Sequence, residues 1–157
     1  PDQGSRSKDV CVVMEVDELL EVLIKMMWKY PDGIIVQKYI FGDECRVIVF
    51  DGRVVCVYSR ASDGLIVSPE DSVVSQEVDV ISDEYREFFV NIARELGLDF
   101  CGIDVKAGDL RARDVSDAYV LEANSNPNMG SVSKLKGVDF LRGLYGDIIK
   151  FVLENAV

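Results

Sequence analysis

An α+β fold is predicted by three features of the chain. An Asp51-Gly52 pair separates two apolar runs, amphipathic helical stripes flank that hairpin, and two more apolar runs, 100–105 and 118–124, are joined by a charged loop. Asp-Gly between apolar segments is a strong hairpin signal because both central positions take positive φ. One-faced helices and half-buried strands must cover each other, so the expected plan is two antiparallel sheet segments flanked by helices.

In chain order, residues 1–9 are polar and loop-like, and Val10 to Met14 is a short apolar strand candidate. Asp17 reads as an N-cap for a helix whose stripe is Leu19, Leu20, Leu23, Ile24, Met27 and Trp28, stopped by Pro31-Asp32-Gly33. Ile34 to Ile40 is strand-like and turns at Phe41-Gly42-Asp43 into the hairpin, giving an antiparallel meander over 34–60. The polar stretch 61–80 reads as an irregular loop. Ser82 caps a second helix with Tyr85, Phe88, Phe89, Ile92, Ala93 and Leu96 on one face and Gly97 as its stop. A last helix begins near Asp139 and presents Phe140, Leu141, Leu144, Tyr145, Ile148, Ile149, Val152 and Leu153.

Composition narrows the chemistry. With 157 residues, 48% of them hydrophobic, the chain can build a real core. Its 28 acidic against 17 basic residues argue against a nucleic-acid partner, and the absence of histidine removes His-based triads and His zinc sites. Acid–base or metal chemistry must therefore use carboxylates, lysine or thiols. Cys11, Cys45, Cys56 and Cys101 stand singly in apolar runs and read as reduced core thiols of a cytoplasmic protein. No apolar run reaches the ~18 residues of a membrane span, so no membrane partner is expected. The chain opens on Pro1 rather than methionine and reads as a piece of something longer.

The run Tyr119-Val120-Leu121-Glu122-Ala123-Asn124 ends in Ser125-Asn126-Pro127-Asn128. Glu122 and Asn124, two apart on a strand, share a face. If the preceding loop is centred near Arg113, Asp104 lies opposite Glu122 and joins that face. Two facing carboxylates repel unless a cation or a shared proton separates them. The set is read either as oxygen ligands for a hard divalent cation or as an acidic surface patch ending in a loop cap.

Five segments in order carry a resemblance: Gln37-Lys38-Tyr39-Ile40-Phe41-Gly42-Asp43-Glu44, Cys45-Arg46-Val47-Ile48-Val49, Val57-Tyr58-Ser59-Arg60, Cys101-Gly102-Ile103-Asp104, and Leu121-Glu122-Ala123-Asn124-Ser125-Asn126-Pro127. Together they resemble the second half of an ATP-grasp domain, as in RimK-type amino-acid ligases, glutathione synthetases and D-alanine–D-alanine ligases. The resemblance implies that 1–40 is the remainder of the small lid lobe and 41–157 the larger C-terminal lobe with its antiparallel sheet. It implies ATP as cofactor with Mg2+, for which Mn2+ could substitute. Gln37, Lys38, Tyr39 and Ile40 then match the hinge along the adenine edge, and Glu44 the acceptor for the ribose hydroxyls. Arg46 and the catalytic Arg60 match the cations along the phosphates, and Asp104, Glu122 and Asn124 the metal ligands. Gly4 to Val10 resembles the glycine-rich loop over the triphosphate, with Ser7 and Asp9 where relatives carry glycine. Asn126, Met129 and Gly130 would border the acceptor pocket.

The implied activity is ATP-dependent ligation of a small-molecule carboxylate to an amine, an amino acid or peptide, through an acyl phosphate; homo-oligomers are compatible with it. The alternatives are a non-catalytic nucleotide-binding module and an ATP-grasp small-molecule kinase. The lysines that relatives carry upstream are absent, so this piece alone is expected to be inactive. Simple pairing about Asp51-Gly52 places Arg46 and Arg60 on opposite sheet faces. For both to reach one ligand, the hairpin needs a bulge or a strand that stops before Arg60.

Overall fold

The computed structural model describes residues 9–61 and 74–155. Of these, residues 9–41 belong to one compact unit, and residues 42–60 and 75–155 to a second. The glycine-rich loop, apart from Asp9 and Val10, and most of the 61–80 stretch lie outside the described residues.

The first unit contains α1 (Val16–Lys29). Its N-cap is Glu15, not the expected Asp17: Glu15 is extended, and its carbonyl accepts the first helical bond from the Leu19 N–H at 3.0 Å. Asp17 and Glu18 instead occupy the first turn, where the positive end of the helix dipole favours acids. Asp9 adopts φ 60°, a conformation aspartate tolerates, and its carboxylate accepts from Lys29 Nζ at 2.7 Å and from the Tyr30 hydroxyl. The runs Val10–Met14 and Ile34–Ile40 correct the expectation of strands, for neither is assigned as one. An apolar run becomes a strand only where a neighbour completes its hydrogen bonds, and none is assigned beside either among the described residues.

The second unit is built from β1 (Glu44–Phe50), β2 (Arg53–Ala61), β3 (Val74–Glu77), α2 (Asp83–Glu95), β4 (Phe100–Lys106), β5 (Tyr119–Asn124), α3 (Gly130–Lys136) and α4 (Val138–Asn155). The strands form one sheet in the order β3-β2-β1-β4-β5, and the β2–β1, β1–β4 and β4–β5 ladders are antiparallel. This is the α+β class expected, with an antiparallel sheet. The hairpin turns on Asp51 (φ 47°) and Gly52 (φ 66°), the double positive φ its dipeptide signals. The loop expected over 61–80 yields an edge strand, β3.

Each sheet face has its own core. Cys45, Val47, Val49, Val57, Cys101, Ile103 and Val105 pack against Tyr85, Phe89 and Ala93 of α2. That helix starts where the sequence indicates: the Ser82 hydroxyl accepts from the Tyr85 N–H at 3.2 Å. It stops at Gly97, whose φ of 65° suits glycine. On the opposite face Ile48, Phe50, Cys56 and Tyr58 pack with Met129, Val132 of α3 and Leu144 of α4. Met129 is thus a core residue, and α3 is a helix the sequence reading did not foresee. Cys45, Cys56 and Cys101 are buried as expected, and burial pushes the thiols of Cys45 and Cys56 up to about 11. Cys11 is exposed, which corrects its assignment to the core.

Candidate functional site

Two bulges decide which side chains meet. In the hairpin, Ile48 pairs with Cys56 but Val49 with Val54, leaving Val55 as the extra residue. Downstream of it Tyr58 comes opposite Arg46, and Arg60 opposite Glu44. Directly paired residues share a face, so the bulge puts Arg60 on the same side as Arg46, which uninterrupted pairing forbids. Between β4 and β5 the register shifts again at Leu121, with Asp104 opposite Glu122 and Gly102 opposite Asn124. Arg46 also pairs with Asp104, and Glu44 with Lys106. Glu44, Arg46, Arg60, Asp104, Lys106, Glu122 and Asn124 therefore occupy one sheet face.

They are held by charge. The Arg46 guanidinium grips Asp104 in a two-pronged contact, Nε to Oδ1 and Nη2 to Oδ2, both 2.5 Å. The same Nη2 lies 3.8 Å from Glu122 Oε1. Arg60 Nη1 donates to Glu44 Oε1 at 2.7 Å and reaches Asp104 Oδ2 at 3.3 Å. The Asn124 amide nitrogen donates to Glu122 Oε1 at 2.7 Å. Asp104 is 4% exposed and Lys106 8%, whereas the Glu122 side chain is 57% exposed. Three carboxylates (Glu44, Asp104, Glu122) thus face three cations (Arg46, Arg60, Lys106) in a site that closes over its Asp104 end and opens at Glu122.

Burial acts differently on Glu44, Arg46 and Tyr58. It raises the Glu44 carboxyl above its ordinary value even though Arg60, Arg46 and Lys106 pull the other way. For Arg46 burial disfavours the charge, but the Asp104 contacts outweigh it and hold the guanidinium firmly protonated. Tyr58, 1% exposed and paired opposite Arg46, is pushed up by burial against the opposing pull of Arg46 and Arg60.

Gly102 is the residue that sequence reading missed. A Cβ there would meet the Pro127 Cβ at 2.8 Å, so the loop after β5 folds down onto the β4 backbone only because this position has no side chain. An isolated glycine in an apolar strand was the available signal. Gln37 and Lys38 are exposed in the first unit, and Tyr39 packs edge-on against Phe41 with ring centroids 4.8 Å apart.

Among the described residues no group of three His, Cys, Asp or Glu side chains is arranged to hold a metal ion. The donor set on this face is instead two carboxylates and an amide. Its oxygen character fits magnesium, which takes one or two protein carboxylates and completes its shell with phosphate and water. Asp104 is the member most fully engaged, by the Arg46 fork and by Arg60.

A RimK-like ATP-grasp domain model matches residues 3–148. A probable alpha-L-glutamate ligase of Teredinibacter turnerae is 30% identical over 149 residues, 92% of this chain and 46% of that protein. A protein of the same description from Aeromonas salmonicida is 31% identical over 145 residues, 90% of this chain and 45% of its own. The chain spans about half the length of these curated relatives. Among solved structures, the ATP-grasp ligase PsnB complexed with minimal precursor superposes with a TM-score of 0.50 at 28% identity, over 62% of this chain and 30% of that one. D-alanine–D-alanine ligase from Bacillus anthracis superposes with a TM-score of 0.64 at 19% identity, over 92% and 48%, and shows the shared fold. The five ordered motifs, the antiparallel sheet and a match over nearly the whole length lead to one conclusion: the chain belongs to the RimK-like ATP-grasp family.

Proposed function

We propose that this chain is the nucleotide- and metal-binding part of an ATP-dependent carboxylate–amine ligase that works through an acyl phosphate. The observation that carries the reading is the single sheet face on which Asp104, Glu122 and Asn124 stand beside Arg46 and Arg60. In this reading Asp104, Glu122 and Asn124 hold Mg2+, whose chemistry when bound is to neutralise charge on the phosphate oxygens. Glu44 accepts from the ribose hydroxyls, and Gln37 to Ile40 offer backbone groups to the adenine. Arg46 lies along the phosphates, and Arg60 offsets charge on the group being transferred. Residues 1–40 belong to the lid lobe and 41–157 to the C-terminal lobe.

Phosphoryl transfer asks the protein for in-line positioning and electrostatic support rather than covalent chemistry. The substrate carboxylate attacks the γ-phosphorus, ADP leaves, and the amine then displaces phosphate from the acyl phosphate to form the amide. The relatives' names, glutamate ligases among them, support an amino acid or a peptide as the substrate class. The buried free thiols Cys45, Cys56 and Cys101 favour a reducing, cytoplasmic setting.

The grip of Arg46 on both Asp104 oxygens favours a second reading, a nucleotide-binding module without turnover. Phosphate release from the full-length protein with ATP, Mg2+ and a panel of amino acids and peptides separates the two. Binding itself is read from melting: Mg·ATP at ~100 times its Kd adds about 2.7 kcal/mol, and Glu122→Ala removes most of that gain. No stabilisation of the wild type at millimolar Mg·ATP would exclude the nucleotide reading.

A further inference from the structure

We infer that Arg46 is the built-in counterion of the metal site: it holds Asp104 until metal and polyphosphate arrive together, and then passes from the carboxylate to the phosphates. The inference rests on the proposed function and adds a coupling to it.

Each prospective ligand already has a partner within the protein. The Arg46 fork takes both Asp104 oxygens, Arg60 adds a third contact, and the Asn124 amide nitrogen is turned toward Glu122. The Arg46 Nη2 that binds Asp104 is also the group 3.8 Å from Glu122, so one guanidinium occupies the space between the two carboxylates. That is where a cation shared by them belongs. The face balances its own charge, with Glu44, Asp104 and Glu122 set against Arg46, Arg60 and Lys106.

A balanced, largely buried cluster resists either ligand alone. A divalent cation entering by itself strips Arg46 of its main counterion and Arg60 of one of its two in a poorly solvated place, and such unpaired buried charge is costly. A polyphosphate entering by itself meets three carboxylates. When both enter, the carboxylates take the metal and the guanidiniums take the phosphate oxygens, whose geometry an arginine fork matches as well as it matches a carboxylate. Every charge keeps a partner through the exchange. Metal and polyphosphate binding are therefore coupled through Arg46, and by linkage each tightens the other by the same factor.

The test uses Mn2+ as a spectroscopic probe on the full-length protein, titrated by electron paramagnetic resonance with and without ADP and corrected for Mn·ADP in solution. The wild type is expected to bind Mn2+ at least ~10-fold more tightly with ADP than without, within the usual range of coupled sites. Arg46→Met is expected to bind Mn2+ alone about 10-fold more tightly than the wild type and to lose most of the ADP dependence. Because that variant leaves Asp104 without its main partner and can fail to fold, Arg46→Lys is measured beside it. It keeps a cation but not the fork, and is expected to shift in the same direction by less. Mn2+ affinity unchanged or weaker in the folded Arg46 variants, or equal in the wild type with and without ADP, overturns the inference while leaving the nucleotide site standing. Wild-type protein that binds neither Mn2+ nor Mn·ADP overturns the proposed function, and the inference falls with it.

Discussion

The two faces of the sheet in the second unit are made from the same strands and could hardly differ more. The face toward α2 is apolar through its core, with Val47, Val57, Ile103 and Val105 at 0–5% exposure, and carries a hydroxyl only at Ser59 among its paired β2 positions beyond the bulge. The opposite face is apolar where α3 and α4 cover it, at Ile48, Phe50 and Cys56, and beyond Tyr58 it is dominated by ion pairs, with the Asn124 amide beside them. Burying charge beside an equally available apolar solution costs stability. What that face gains is chemistry, and the difference between the faces marks the site without reference to any relative.

The comparison depends on register, so the most disruptive change is to remove it. Inserting one residue between Val57 and Tyr58 places Tyr58 opposite Cys45 and turns Tyr58 and Arg60 toward the α2 core. An unpaired guanidinium in that core is expected to consume most of a domain's ~5–15 kcal/mol of stability. Urea unfolding followed by circular dichroism should show no cooperative native transition, and a wild-type-like curve would mean that the register of β2 does not set the face.

Gly102→Ala is milder. It forces the Pro127 ring away from β4, and overpacking of this kind costs about 1–3 kcal/mol. Asn124, paired to Gly102, moves with the loop, so Mg·ATP stabilisation should fall together with the melting temperature. The same substitution at Gly143, where a Cβ meets nothing within 4 Å, should leave ligand binding untouched.

The smallest effect is in the pH profile. Burial raises the Glu44 carboxyl in the folded protein above its unfolded value near 4.5. A raised carboxyl binds its proton more tightly when folded, so its contribution to stability is fully present below the unfolded value and is lost as pH rises through the folded one. The stability difference between wild type and Glu44→Gln should therefore shift against the wild type from about pH 4.5 upward and level off once Glu44 is ionised. A difference independent of pH would mean that Glu44 is not strained by burial.

Local signals were legible because their causes are local. Asp51-Gly52 specifies its own turn, and Ser82 and Gly97 bound α2 through their own backbone and side-chain chemistry. The pairing of Asp104 with Glu122 was also legible, since it needs only the centre of one loop. The need for a hairpin bulge could be deduced from the parity of Arg46 and Arg60. Its position could not, because any residue in the run Val54-Val55-Cys56-Val57 suits a strand equally well. The two apolar runs 10–14 and 34–40 misled for the opposite reason: composition favours a strand, but only a neighbouring backbone makes one. Arg46 as the present partner of Asp104 was hidden too, since a resemblance assigns residues to a ligand and is silent about what they hold without it.

Asp104, Glu122 and Asn124 are proposed to form a metal site whose place Arg46 fills. Anomalous diffraction from crystals of the full-length protein grown with Mn2+ and ADP tests it most directly. The predicted result is a manganese peak among those three side chains, with the Arg46 guanidinium withdrawn from Asp104 and lying on the phosphates. Manganese bound elsewhere, or bound there with the Arg46–Asp104 fork intact, would contradict it.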